Sequence, residues 1–260
     1  MSAESPLGKS SEYPRTYAPE VLHAIPREGD RAAVPGVDIW NAWELTWLTD
    51  RGRPQNAGVE IRVPADSPNI VESKSLKLYL GSFAMSRFVA ADEVFAAVRK
   101  DVGACVGSAI GVAPLDPAGG TEVTELPGTS LDDLDIDCND YHPNAGLLRA
   151  SGDSVTESLH SHSLRSLCPV TAQPDIGSVL VRYTGPQIDH ASLLRYIVSY
   201  REHDDFHEAC VERMFLDIRN RCSTEQLSVY ARYQRRGGID INPFRSDFET
   251  DPPNLRTWRQ

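Results

Sequence analysis

Long apolar runs are absent from this 260-residue sequence, and no stretch approaches the ~20 consecutive apolar residues that a membrane-spanning helix needs. Membrane insertion is therefore excluded as an expectation. Positive charge is scarce, with 26 Lys plus Arg against 37 Asp plus Glu and a net charge of -11. That balance repels a phosphate backbone, and no basic stripe with interleaved aromatics offsets it, so nucleic acid is not an expected partner. Cysteine is sparse and odd in number: Cys105, Cys138, Cys168, Cys210 and Cys222 contain no CxxC pair. This excludes a disulfide framework and a four-thiolate zinc site, and leaves mostly reduced, buried and inert thiols as the expectation. The first 30 residues hold no apolar segment followed by a cleavage site, which predicts a cytoplasmic protein. Neither a G-x-G-x-x-G nor a Walker loop occurs, so any dinucleotide would be bound outside a Rossmann fold.

What is present fits a globular chain: 40% hydrophobic and 24% charged residues, long enough for one large domain or two of about 130 residues. Residues 1–36 carry Pro6, Pro14, Pro19, Pro26 and Pro35, which favour extended backbone and prevent a long helix, so this part reads as an arm. A first module is predicted over 37–112. It opens with the aromatic strand Ile39 to Trp47, continues with the alternating Val59-Glu60-Ile61-Arg62-Val63, and then shows helical spacing through Leu76 to Phe83 and Val89 to Val98. Residues 113–165, rich in Gly, Pro and Asp, read as a connection. A second module, 166–260, repeats the order: strand Val179 to Tyr183, helices near 187–202 and 205–221, and the alternation Leu227, Val229, Ala231, Tyr233.

The two modules are related in sequence. Ser75-Leu76-Lys77-Leu78-Tyr79 lies over Ser192-Leu193-Leu194-Arg195-Tyr196 at an offset of 192 − 75 = 117, and Val59 to Val63 lies over Val179 to Tyr183 at 179 − 59 = 120. Such a duplication, with helices covering one sheet face in each copy, predicts an α+β architecture. Ungapped alignment sets Cys168 opposite Leu48, Asp175 opposite Gln55, and His207 and Glu208 opposite Ala90 and Ala91. Conversely, Glu72 and Lys74 face Asp189 and Ala191. Each copy thus holds half of a site.

Each candidate group has a plain reading and a chemical one. Cys168 is either a small buried hydrophobe before a turn or a thiolate nucleophile with Asp175 nearby to manage protons. Asp205-Phe206-His207-Glu208 opens a helix and reads as a capping box, with Asp205 as N-cap and Glu208 at N3. His203 and His207, at i and i+4, could ligate zinc, but the adjacent glutamate of HExxH is missing. His160-Ser161-His162 reads as a solvated loop pair. Glu72-Ser73-Lys74 is either a charged helix start or a group whose carboxylate accepts from an NH/NH2 edge while Ser73 and Lys74 hold phosphate. Arg235-Arg236-Gly237-Gly238 is either a solvated turn or a phosphate grip.

Taken together, Glu72-Ser73-Lys74-Ser75-Leu76-Lys77-Leu78-Tyr79, Cys168-Pro169-Val170-Thr171-Ala172-Gln173-Pro174-Asp175, Phe206-His207-Glu208 and Arg236-Gly237-Gly238-Ile239-Asp240-Ile241-Asn242-Pro243 closely resemble the NADPH-dependent 7-cyano-7-deazaguanine reductases of queuosine biosynthesis, in their long two-module branch. The resemblance implies tandem tunnelling-fold modules, each an antiparallel sheet with two helices on one face, assembled as a homodimer. It implies four-electron reduction of a nitrile to a primary amine with NADPH as co-substrate and no metal. Cys168 would attack the nitrile carbon to form a thioimide and Asp175 would supply protons. Val71, Glu72, Ser73, His207 and Glu208 would bind the deazaguanine, and Ser73, Lys74, Arg236 and Gly237 the NADPH. Two rivals share the segments: a zinc-dependent cyclohydrolase of the same fold, and a non-catalytic purine-binding module.

Overall fold

A computed structural model describes residues 13–29, 31–115 and 122–260. The arm's first twelve residues, Pro6 among them, lie outside the described residues. The described residues divide into two compact units: unit 1 comprises 13–29, 38–115 and 235–240, and unit 2 comprises 31–37, 122–234 and 241–260. Ten strands and four α-helices among the described residues make a mixed α+β protein, and none of these helices is long and apolar enough to cross a membrane.

In unit 1 a 3-10 turn at Pro19–Val21 leads to β1 (Ala24–Pro26), then β2 (Gly36–Leu48), β3 (Pro54–Pro64), β4 (Asn69–Val71), α1 (Ser73–Ser82), α2 (Ala91–Val106) and β5 (Gly111–Leu115). Strand β3 lies between β2 and β5, and β1 pairs antiparallel with β4. The period-two alternation of Val59, Ile61 and Val63 predicted a half-buried strand, and all three are buried. Helix α2 buries Val94, Phe95, Val98, Val102 and Val106, the i, i+4 stripe of an amphipathic helix.

Unit 2 contains β6 (Thr129–Ser130), a 3-10 turn at Ala145–Leu147, β7 (Ala150–Leu167), β8 (Pro174–Ile188), α3 (His190–Val198), α4 (His207–Cys222), β9 (Gln226–Tyr233) and most of β10 (Ile239–Ser246). Its strand order is β10-β9-β8-β7-β6, antiparallel throughout except for the short β6. Val179, Val181 and Tyr183 of β8 and Leu227, Val229, Ala231 and Tyr233 of β9 turn into one core with Tyr196, Ile197, Val211, Met214 and Phe215 of the helices. The alternation read along β9 is therefore the core-facing face of that strand.

Strand β7 departs from expectation. Residues 150–165 read as part of the Gly-, Pro- and Asp-rich connection 113–165, yet they pair with β8 along most of its length. His160 and His162 accordingly lie in this strand rather than in a solvated loop. His160 is buried with Nδ1 3.2 Å from Pro127 O, and His162 Nδ1 lies 2.7 Å from Ser178 Oγ. A register shift between Ser161 and Leu164 is closed by Asp132, whose carboxylate accepts from Ser161 Oγ, Ser163 Oγ and the His162 amide. Burial opposes the charge, but those donors hold the Asp132 carboxyl below its ordinary range.

The two units repeat one hydrogen-bond pattern around their first long helices. Glu72 caps α1 by accepting from Lys74 N (2.8 Å) and Ser75 N (2.7 Å), and Asp189 caps α3 by accepting from Ser192 N (2.7 Å). Ser75 Oγ donates to Glu72 O and Ser192 Oγ to Asp189 O, both at 2.7 Å. Ser82 Oγ donates to Tyr79 O and Ser199 Oγ to Tyr196 O, both at 2.6 Å. Tyr79 OH and Tyr196 OH each reach an aspartate on the following helix, Asp101 and Asp217, at 2.7 Å.

The pattern also extends upstream of what sequence alignment reached. His23 N donates to Ser75 Oγ and Ala18 N to Ser82 Oγ; Arg149 N donates to Ser192 Oγ and Asn144 N to Ser199 Oγ. Segments of the arm and of the connection therefore fill equivalent places. The structure also corrects the pairing of the copies. Leu48 and Leu167 make the same bonds, to Ser86 and His203, so Cys168 corresponds to Thr49 rather than Leu48. Helices α2 and α4 begin at Ala91 and His207, so Glu208 corresponds to Asp92 rather than Ala91. The causes are one extra residue in the turn after Cys168 and one fewer before α4.

Candidate active site

Cys168 follows the last residue of β7 and opens the turn into β8. Two hydrogen bonds close that turn, Cys168 N to Gln173 O and Ala172 N to Cys168 O, both 2.9 Å. Ala172 takes the left-handed conformation at φ 53°, which a residue with a Cβ adopts at some cost. The thiol belongs to a half-buried residue. Cys210 and Cys222 are buried and Cys105 half-buried; burial lifts the Cys105 and Cys222 thiols to about 11 and the Cys210 thiol well above its usual range. These three are poor thiolates at neutral pH, which leaves them unreactive.

Asp175 stands at the start of β8, opposite Ser166, so the nucleophile candidate and the acid candidate occupy the same end of the β7–β8 hairpin. It is 3% exposed. His207, the first residue of α4, brings Nε2 to 3.7 Å from Asp175 Oδ2, and its ring meets the Tyr233 ring edge-on with centroids 4.0 Å apart. Glu208 is the next residue and is also buried. It lies in the first turn of α4, where unsatisfied amides concentrate positive charge. The capping-box reading fails: the N-cap of α4 is Phe206 with no side-chain cap, and Asp205 accepts instead from Phe206 N. His203 turns to Asp205 (3.5 Å) and Tyr200 rather than toward His207's partners, and no three potential ligands converge among the described residues.

The other candidates lie in unit 1. Val71 ends β4, where it pairs with Ala24, and is buried. Glu72 is both a cap and 2% exposed, so the charged-helix-start reading is incomplete: one lone pair on each oxygen serves the helix, and acceptor capacity remains. Ser73 and Lys74 are the first two residues of α1 and are partly exposed. Arg236 and Ile239 bridge a two-residue turn in which Gly237 and Gly238 both have positive φ, 63° and 82°. Such a turn demands glycine-like residues at its centre.

Lys77 is the residue that sequence reading passed over. A Cβ at Gly237 would lie 3.2 Å from its Cδ and 3.3 Å from its Cε, so the lysine stem occupies the space the glycine leaves. Its i, i+3 spacing from Lys74, which puts both on one helix face, was the available signal. Unit 1 thus brings the α1 start and the Arg236–Gly237 turn together through Lys77. Ammonium, guanidinium, hydroxyl and open backbone at glycine are a donor set suited to phosphates. Unit 2 places Cys168 and Asp175 at one end of the β7–β8 hairpin, with His207 reaching Asp175 and the buried Glu208 next to it in the first turn of α4.

Two family models and many curated relatives match this chain. Residues 13–113 match the family model described as "Nitrile reductase, 7-cyano-7-deazaguanine-reductase N-term", and residues 174–251 match that of "QueF-like protein". A relative from Burkholderia multivorans named NADPH-dependent 7-cyano-7-deazaguanine reductase is 54% identical over 269 residues, 98% of each chain. One of the same name from Paraburkholderia phymatum is 53% identical over 270 residues, 99% of this chain and 98% of that relative. Among solved structures, the apo form of the archaeosine synthase QueF-Like overlaps 39% of this chain and 99% of its own, with 16% identity and a TM-score of 0.33.

Proposed function

The chain belongs to the family of NADPH-dependent 7-cyano-7-deazaguanine reductases, and from that premise we propose how its residues perform the reaction. It is an oxidoreductase that reduces 7-cyano-7-deazaguanine with NADPH as co-substrate. In our reading Cys168 adds its sulfur to the nitrile carbon while the nitrile nitrogen takes a proton from Asp175, giving a thioimide. NADPH supplies hydride when bound, and two molecules in turn would provide the two hydrides, four electrons in all, that conversion of a nitrile to a primary amine needs. Asp175 is then reprotonated and delivers further protons to nitrogen as sulfur leaves and the primary amine, 7-aminomethyl-7-deazaguanine, is completed.

The observation that carries this reading is the placement of a buried aspartate on the same hairpin end as Cys168 and against His207. A carboxyl shielded from water beside the turn that carries Cys168 is placed to exchange a proton with a substrate bound there. Glu208 and His207, with Val71, Glu72 and Ser73, bind the deazaguanine. A carboxylate offers paired acceptors to its NH/NH2 edge. Ser73, Lys74, Arg236 and Gly237 hold NADPH.

The same reading makes the two units tunnelling-fold modules, with sequence boundaries of 37–112 and 166–260 flanked by the arm and the 113–165 connection. They assemble as a homodimer that serves queuosine biosynthesis in the cytoplasm. Mass spectrometry after mixing the protein with 7-cyano-7-deazaguanine and no NADPH tests the mechanism. A nitrile-mass adduct on the Cys168 peptide, absent from Cys168→Ala and discharged by NADPH, is the expected result. Bound substrate that NADPH reduces without any such adduct would overturn the covalent route.

A further inference from the structure

We infer that Tyr233 and Gln234, consecutive residues at the end of β9, position Asp175 and His207 for the reaction, with the Tyr233 ring as the working part; this rests on Asp175 being the proton donor. Gln234 grips the backbone on both sides of Asp175. Its amide N–H donates to Ile176 O at 2.8 Å and its side-chain Nε2 donates to Pro174 O at 3.2 Å. Asp175 therefore cannot shift along or out of β8 without breaking one of these bonds.

Tyr233 sets the histidine. Its ring stands nearly perpendicular to the His207 imidazole, at 81° with centroids 4.0 Å apart, and the imidazole's Nε2 is the atom that faces Asp175. The ring has little freedom to yield. In the β8–β9 register Tyr233 pairs with Gly177, and a Cβ on that glycine would lie 3.1 Å from the Tyr233 Cδ1 and 3.3 Å from Leu164 Cδ2. The Tyr233 backbone is held as well: its N–H donates to Asn242 Oδ1 (3.2 Å) and its carbonyl accepts from Gln260 Nε2 (2.6 Å). Tyr233 is 1% exposed, and burial keeps its phenol protonated far above neutral pH, so the side chain contributes place and not charge. Gly177 is thus the vacancy that admits the ring, and the ring is the wall against which His207 is set.

The test compares kcat and KM for Tyr233→Phe, Tyr233→Leu, Gly177→Ala and Asp175→Asn in the full-length protein. Tyr233→Phe keeps the ring and should stay within about twofold of the parent. Tyr233→Leu removes the wall and Gly177→Ala pushes it. Each should lower kcat about tenfold or more, as misplacement of reacting groups does, with KM changed by less than about threefold. If Tyr233→Leu does not fold, Gly177→Ala decides alone. Parent kcat in the folded Leu and Ala variants, or a Phe variant as impaired as Leu, would overturn the positioning role. Asp175→Asn at the parent rate would instead remove the proton-donor reading. An inactive Asp175→Asn beside fully active Tyr233→Leu and Gly177→Ala would remove this inference alone.

Discussion

The two units build their first long helix with the same atoms and use the adjoining turns differently. Around α1 and α3 the acid cap, the two serines bonded to carbonyls three residues back and the tyrosine reaching an aspartate on the next helix recur almost distance for distance. Around the turns the copies diverge. Unit 2 has Cys168, Asp175, His207 and Glu208 where unit 1 has Thr49, Gln55, Ala91 and Asp92. Unit 1 in turn has Glu72 and Lys74 where unit 2 has Asp189 and Ala191. The cap and serine bonds close on backbone amides and carbonyls, so losing one leaves a backbone group short of a partner.

The comparison would break most visibly at the acid. Asp175→Asn should retain substrate binding but lose about 10²- to 10⁴-fold in turnover, the range that a general acid contributes, while Gln55→Ala stays within about twofold. Steady-state rates of NADPH oxidation measure both, and a near-parent rate for Asp175→Asn would erase the functional contrast between the turns.

Base recognition gives a smaller difference. Glu208→Ala should weaken 7-cyano-7-deazaguanine binding by about 1–3 kcal/mol, because an NH edge in a closed pocket loses its acceptor. Asp92→Ala, at the exposed counterpart, should leave calorimetric affinity unchanged. Equal effects would mean that Glu208 serves the fold.

The smallest effect separates the frameworks themselves. Tyr79 OH and Tyr17 OH both donate to Asp101, so Tyr79→Phe leaves that carboxylate a partner and should cost about 1 kcal/mol of stability. Tyr196 OH bonds both Asp217 and the buried Tyr200 OH, at 2.9 Å. Tyr196→Phe strands the second phenol and should cost more, about 1–3 kcal/mol, in urea denaturation. A larger loss for Tyr79→Phe would show that the arm, through Tyr17, carries more of unit 1 than the comparison implies.

Much of this was legible before any coordinates. Val59, Ile61, Val63 and the β9 alternation announced strands because burial on one sheet face imposes a period of two. The Ser75 and Ser192 segments announced a duplication because caps and core positions restrict which residues fit. The β7 strand was not legible, since it follows a long Gly-, Pro- and Asp-rich run, residue types depleted in strands, and its order comes from pairing with β8. The capping box at Asp205 failed for a similar reason: the spacing was right, but Leu167 accepts the Asp205 amide and redirects the chain before the helix begins.

The linear order of residues determined the α+β class, the repeat, the family and the identity of the candidate nucleophile, acid and base-binding carboxylate, because each of these depends on local pattern and residue type. The tertiary structure alone decided which residues of one copy stand for which in the other, that Lys77 packs against Gly237, and that Tyr233 and Gln234 frame Asp175 and His207. Those relations join residues tens of positions apart. They depend on one-residue differences in turn length and on the closeness of packed rings, which leave no periodic trace along the chain.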